Sequence, residues 1–358
     1  MSDSIGRQEN IGYIEVSNGG QAVRIDVILD PDLSPQEVTE LGLLAEKVGL
    51  RAVWTSNYPH SRDPFINLCP LALVSSRIRL GPLVVTPYEL HPYKISKALG
   101  SLNELCGGRA NILIGGPTGV NAFMGMDTSR MVGRVRECME ILQGVSPDKP
   151  LNYNGDIFQT WGYQPRWMTD APPQIYVGAN KEQMLMMAAG VADNIMLGDT
   201  SPERLKLSLQ QLDANLQSHD RARADVQVSA LVAWHVKDDA AVSSSEAKSQ
   251  LALRGMLDTW YLDGFLDEAE CELVDASRNR FFRAYKQGTD VIEGVPDSIV
   301  AKLVDNLTMS GGPESLDQHI ATLQRYQAMG LDQVAFKLHG EPHAAIATIG
   351  ERLAPVLQ

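Results

Sequence analysis

Residues 77–117 read RIRLGPLVVTPYELHPYKISKALGSLNELCGGRANILIGGP, and this stretch decides the fold. Ile78 to Val85 is apolar and β-branched, as suits a strand buried on both faces. Thr86-Pro87-Tyr88 breaks the run. His91-Pro92 then opens a helix whose apolar side, Ile95, Leu99, Leu102 and Leu105, recurs at helical spacing. Gly107-Gly108 stops it, because glycine tolerates the left-handed conformation at a helix end. Arg109 to Ile114 is a second buried strand, ending in Gly115-Gly116-Pro117. Strand, helix, strand with both strands parallel is a βαβ unit. Its functional groups belong at the carboxyl ends of the strands, here Val84–Thr86 and Gly115–Thr118.

Working outward, the alternation repeats. The first strand spans Val23–Leu29, followed by an N-cap, a first-turn proline and an acidic residue at Ser34-Pro35-x-Glu37. Ala52–Ser56 is the second strand. After strand four come an apolar-rich loop at Asn121–Met126, a helix from about Ser129, and a proline- and aromatic-rich insertion at 146–173 with a hairpin around Asn154-Gly155. Strands five to seven fall at Gln174–Val177, Asn194–Leu197 and Val226–Val236. A long helical insertion covers 240–290, and Gln333–Leu338 is strand eight. Eight strands alternating with helices predict an α/β chain, a (β/α)8 TIM barrel in one domain (1–358). The insertions follow strands four and seven, and residues 1–22 form a loose leader. A doubly wound open sheet is the other arrangement, but no G-x-G-x-x-G follows the first strand.

Composition narrows the partners. The chain has 358 residues, 44% hydrophobic and 21% charged, with a formal net charge of −13. That balance suits a globular protein with a large core and gives no basic stripe for nucleic acid. No run of 18 apolar residues predicts a membrane helix, and the polar N-terminus lacks a signal-peptide core. The four cysteines are far apart, with no metal spacing, as expected of reduced thiols in the cytoplasm.

A barrel gathers its chemistry at the C-terminal strand ends. There the sequence places Asn57, Tyr58 and His60, then Thr86, then Gly115, Gly116 and Thr118. Farther on come Gly178 and Asn180, Gly198, Trp234 and His235, and finally Lys337 and His339. Gly178-Ala179-Asn180, before a helix, could let backbone N–H groups approach a phosphate, or could be only a tight turn. Asp26 lies inside an apolar strand. It is either a general acid with a raised pKa or one half of a buried ion pair. His91 precedes a proline at a helix start, where capping or packing is its expected role. The histidines share no zinc-like spacing, and neither a P-loop nor a G-x-S-x-G elbow is present. The aromatics between Tyr153 and Trp167 could cover a flat ring or form a local core.

The run Gly81–Pro87, His91-Pro92 and the following L-x-E-L-x-G-G-R-A-to-strand pattern resembles the bacterial luciferase-like superfamily. The nearest pattern is that of the deazaflavin-dependent reductases typified by methylenetetrahydromethanopterin reductase. IYVGAN (175–180) and SGGPESLDQHIATLQRYQAMGLDQV (310–334) are similar as well. The resemblance implies a homo-oligomeric (β/α)8 barrel that binds coenzyme F-420, or alternatively FMN, at its C-terminal mouth. It implies a cis peptide at Leu83–Val84 against the ring, with Thr86 beside it. It further implies cofactor contacts at Gly115, Gly116, Gly178, Ala179 and Asn180, and a catalytic carboxylate at Asp26; the strand-end positions add Thr86 and Thr118 as cofactor contacts and Asn57 and Tyr58 as catalytic candidates. Alcohol-oxidising members carry Asp-His after strand two and a glutamate after strand four. This chain has Asn57-Tyr58 and Thr118, which removes that proton relay and leaves reduction of an electron-poor C=N, C=C or C=O, with Asp26 or Tyr58 as proton donor. The alternatives are a two-component monooxygenase fed reduced FMN by a partner reductase, and a non-catalytic flavin-binding barrel.

Overall fold

The computed structural model describes residues 22–358, so the expected leader lies outside the described residues apart from Ala22. Eleven strands are formed among the described residues: β1 (Arg24–Leu29), β2 (Ala52–Ser56), β3 (Arg79–Leu83), β4 (Asn111–Ile114), β5 (Leu151–Asn154), β6 (Gln159–Tyr163), β7 (Gln174–Gly178), β8 (Asn194–Gly198), β9 (Gln227–Trp234), β10 (Thr308–Met309) and β11 (Gln333–Leu338). Eight of them run in the order β3-β2-β1-β11-β9-β8-β7-β4, every pairing parallel. Bridges Leu80–Ala110 and Val85–Ile114 bring β3 against β4. The ring of strands is thereby nearly closed, and the fold is the (β/α)8 barrel, not the open sheet.

Side chains alternate along each strand, which makes two apolar layers. Ile25, Val27, Val53, Leu80, Ile112, Val334 and Phe336 point outward into the packing between sheet and helices. Ile28, Trp54, Leu83, Leu113, Tyr176 and Met196 fill the barrel interior. The helices start where the sequence chemistry says. Ser34 Oγ accepts from the Glu37 N–H, and Glu37 Oε2 accepts from the Ser34 N–H, a reciprocal cap for Pro35–Lys47. His91 caps Pro92–Leu105, its Nδ1 accepting from the Tyr93 N–H at 3.1 Å. Gly107 and Gly108, at φ of 60° and 82°, end that helix.

Three features differ from the sequence expectations. Asn121–Met126 is not a loop throughout, because Gly119–Phe123 is a short helix capped by Thr118 and Asn121. Five residues are too few for periodicity to register. β10 is also new. β8 stops opposite Leu231, and Thr308 then lies beside Ala233, so the two-residue β10 pairs the upper edge of β9. Finally, the apolar cluster of the helical insertion runs on through Leu307, past residue 290.

The two insertions lie in different places. The first is the β5–β6 hairpin, pinned at its tip by the buried Glu137. That carboxylate accepts N–H groups of Asp156, Ile157 and Phe158 at 3.0, 3.0 and 2.8 Å. Its aromatics pack on the outer flank, Phe158 against His91 and Tyr163 against Tyr93. The second insertion leaves from the C-terminal end of β9 and stands beside the mouth.

Candidate functional site

One wall of the mouth is the end of β3. The Leu83–Val84 peptide is cis. Asn57 Nδ2 donates to Val84 O at 3.3 Å and to Glu89 Oε1 at 2.9 Å, while the Asn57 N–H donates to Leu83 O at 2.7 Å. The same Glu89 oxygen accepts the Thr86 N–H at 3.1 Å. Thr86 Oγ1 is joined to the Asn121 amide. Asn57 therefore positions the β3 turn and makes no direct claim on a reacting atom. Glu89 was not foreseen, although its place three residues after Thr86 is the spacing at which a carboxylate reaches back to a turn N–H.

The glycines separate into two kinds. A Cβ on Gly115 would lie 2.5 Å from Val84 Cγ1, and one on Gly116 would lie 2.6 Å from Met131 Sδ, so internal packing already dictates both. At Gly178 and Gly198 the nearest atoms would be 3.8 and 3.7 Å away. A Cβ at either would sit in ordinary van der Waals contact without displacing a neighbour. Ala179 is buried and its N–H is spent on Met196 O at 3.3 Å, so it has no donor left for a phosphate. Asn180 Oδ1 accepts the Gly198 N–H at 2.7 Å and ties the two strand ends together. The helical insertion docks over these ends through Lys181–Asp258 and Arg204–Asp263.

The opposite wall, the ends of β9 and β11, is polar and buried. Lys337 Nζ donates to Leu29 O at 3.1 Å and Ser56 Oγ at 3.4 Å, both neutral acceptors. Burial pulls its pKa from 10.5 down to about 8, outweighing the distant Asp30 and Asp32. The His235 and His339 rings stack, with centroids 4.5 Å apart and planes 8° from parallel. Burial and neighbouring cations hold His339 neutral. His235 Nδ1 and Lys237 Nζ each meet Glu246 at 2.8 Å. Arg254, from the insertion, pairs with Asp199 at 3.0 Å. Nothing in the helical pattern around Arg254 marked it for this position.

Tyr58 lies beside the Lys337 wall. The residue is 41% exposed, yet its ring lies 5.9 Å from Lys337 Nζ. Burial of the phenol raises its pKa, with Arg254 acting the other way, so it remains a protonated donor.

Asp26 is not at the mouth. It sits one inward step below Ile28 on β1, under Trp54 and Tyr176. Arg51 Nε donates to its Oδ1 at 2.8 Å, Arg51 Nη2 contacts Oδ2, and Trp54 Nε1 donates to Oδ2 at 2.9 Å. Of the two readings its position allowed, the geometry is that of the buried ion pair. The mouth thus gathers Asn57, Tyr58, Leu83, Val84, Thr86, Thr118, Gly178 and Asn180. Asp26 belongs to the floor, and Gly115, Gly116 and Ala179 to packing.

Comparison with known proteins agrees with this architecture. The family model described as luciferase-like monooxygenase matches residues 18–333. The 5,10-methylenetetrahydromethanopterin reductase of Archaeoglobus fulgidus is 27% identical over 92% of this chain and 98% of its own length. The F420-dependent glucose-6-phosphate dehydrogenase of Microbacterium testaceum is 24% identical over 61% of this chain and 70% of its own. Among solved structures, the coenzyme F420 dependent tetrahydromethanopterin reductase of Methanopyrus kandleri superposes with a TM-score of 0.77 at 19% identity, covering 94% of this chain and all (100%) of that one. A type II Baeyer-Villiger monooxygenase component from Pseudomonas putida, in complex with FMN, gives 0.65 at 16% identity over 94% and 99%. On the extent of the family match, this chain belongs to the luciferase-like monooxygenase family.

Proposed function

We propose that this oxidoreductase reduces an unsaturated small molecule, at a C=N, C=C or C=O bond, with hydride drawn from a reduced deazaflavin, coenzyme F-420. The observation that carries this reading is the likeness, over nearly the whole of both chains, to a methylenetetrahydromethanopterin reductase. On this reading the β3 turn at Leu83–Val84 would offer one face to a flat ring, and the uncrowded ends of β7 and β8 at Gly178 and Gly198 would take its tail.

When bound, the reduced ring supplies the hydride. The chain supplies the rest. Leu83 and Val84 support the ring, with Asn57 fixing their carbonyls. Thr118 and Asn180 stand where the tail would pass. Tyr58, kept protonated by burial, gives a proton to the atom next to the one that accepts hydride. Positioning accounts for most of what such a site must do. The protein acts as a homo-oligomer on this reading.

The second reading, a monooxygenase receiving reduced FMN from a partner reductase, is favoured by the FMN-bound neighbour. A flavin-binding barrel without catalysis is the third. Titration with F-420 and with FMN, followed by absorbance and fluorescence, separates them. Tight F-420 binding with weak FMN binding supports hydride transfer. FMN-dependent oxygen consumption supports the second reading, and binding without turnover of either supports the third.

A further inference from the structure

The β9–β11 wall holds more buried positive charge than its own carboxylates answer. Three cations converge there. Lys237 is satisfied by Glu246 and Arg254 by Asp199. Lys337, 4% exposed, has no carboxylate within ion-pair distance among the described residues. It faces Leu29 O, Asp30 and Asp32 from the end of β1 and the loop after it, Ser56 and Tyr58 from the end of β2, His339 from the end of β11 and Arg254 from the insertion. Arg254 Nε, His235 Nε2 and His339 Nε2 are buried without a hydrogen-bond partner among the described residues. Four side chains with spare polar atoms in one place are expensive to maintain without a ligand. An unpaired buried donor forfeits its hydration without return, the more so when it is charged.

We propose that Lys337 and Arg254, flanked by the His235–His339 stack, hold an oxyanion of the substrate, a carboxylate or a phosphate. The substrate is therefore an anion. Its assignment to the substrate rests on the deazaflavin reading. With the ring against the β3 turn and its tail along β7 and β8, the β9–β11 wall lies across the barrel, on the substrate's side. An oxyanion there meets the Lys337 ammonium and the free edge of Arg254. Charge-assisted bonds of this kind are the strong ones.

The test uses sulfate and acetate as probes on the full chain, with binding read by calorimetry. Sulfate keeps its charge from pH 6 to 10. Wild-type protein binds sulfate, and affinity falls above pH 8 as Lys337 loses its proton. Lys337→Met and Arg254→Gln weaken binding by at least ~tenfold, equal to about 1.4 kcal/mol, while Lys337→Arg retains it. Equal sulfate affinity in wild type and Lys337→Met overturns the proposal. A second arm compares F-420 with its riboside core, which lacks the acidic tail. Lys337→Met is expected to bind both as wild type does. Weakened F-420 with unchanged riboside would give the oxyanion to the cofactor and overturn the assignment to substrate. Failure of both deazaflavins to bind wild type sinks the cofactor reading, and the sulfate arm still decides whether the oxyanion site exists.

Discussion

The two ends of the barrel both bury charge and treat it in opposite ways. At the floor, Asp26 and Arg51 neutralise each other, Trp54 takes the remaining lone pair, and Gln174 accepts another Arg51 N–H at 3.0 Å. Burial opposes the Arg51 charge, yet Asp26 holds it on. At the mouth, Lys337 meets only neutral oxygens and the imidazoles keep open edges. Charge that is matched holds a fold together. Charge left unmatched is held ready for something that arrives later.

The sharpest way to break this contrast is to cut one charge from each end. Asp26→Ala should destabilise by about 3–5 kcal/mol in urea titration, because Arg51 is left buried alone. A loss under 1 kcal/mol would mean the floor is not what we describe. Lys337→Met should do the reverse and stabilise by about 3 kcal/mol at pH 7, given a pKa lowered from 10.5 to about 8. The sign follows from proton binding. Between those two values the unfolded chain holds the proton and the folded chain does not, so wild-type stability rises with pH. The advantage of the methionine variant is complete below pH 8 and gone above 10.5. A pH-independent difference would put the effect down to packing.

Gly178→Leu sharpens the comparison from the ligand's side. A Cβ there would meet its nearest neighbour, Ile114 O, at 3.8 Å, an ordinary van der Waals contact, so Tm should hold while the Kd for F-420 rises ~tenfold or more. A fall in Tm with intact binding would return Gly178 to a packing role. The smallest effect belongs to the floor end. Glu46 accepts N–H groups of Ser76, Arg77 and Ile78 just before β3. Burial raises its pKa, but those bonds win and bring it from 4.5 to about 2. Its contribution is present above pH 4.5 and lost as pH falls towards 2. Because the group is only part-buried, Glu46→Gln should cost about 1 kcal/mol or less at pH 7 and still less at pH 2.

Much of the barrel was legible. Ala52–Ser56 and Gln333–Leu338 stand where the apolar runs placed them, because strands buried on both faces leave an uninterrupted signal. The capped helix starts at Ser34 and His91 were equally plain. What escaped was short or borrowed. β10 has two residues and owes its existence to the edge that β8 leaves free on β9. For the site, the strand ends gave Tyr58, Gly178 and Lys337 their addresses, since position along a strand fixes height in the barrel. Arg254 could not be found that way. It comes from a helical insertion whose docking depends on pairs such as Arg204–Asp263, far apart in sequence. Asp26 was ambiguous for the opposite reason. Its height could be counted, but its partner Arg51, at the start of β2, enters from below only in three dimensions.

The join between insertion and barrel has a mechanical corollary. The chain leaves the helical roof through Thr308 and Met309, and Met309 O receives the His235 N–H at 2.8 Å. Roof and imidazole share one backbone bond. A tilt of the roof is felt at the His235 ring, and a pull on that ring tugs the roof in turn.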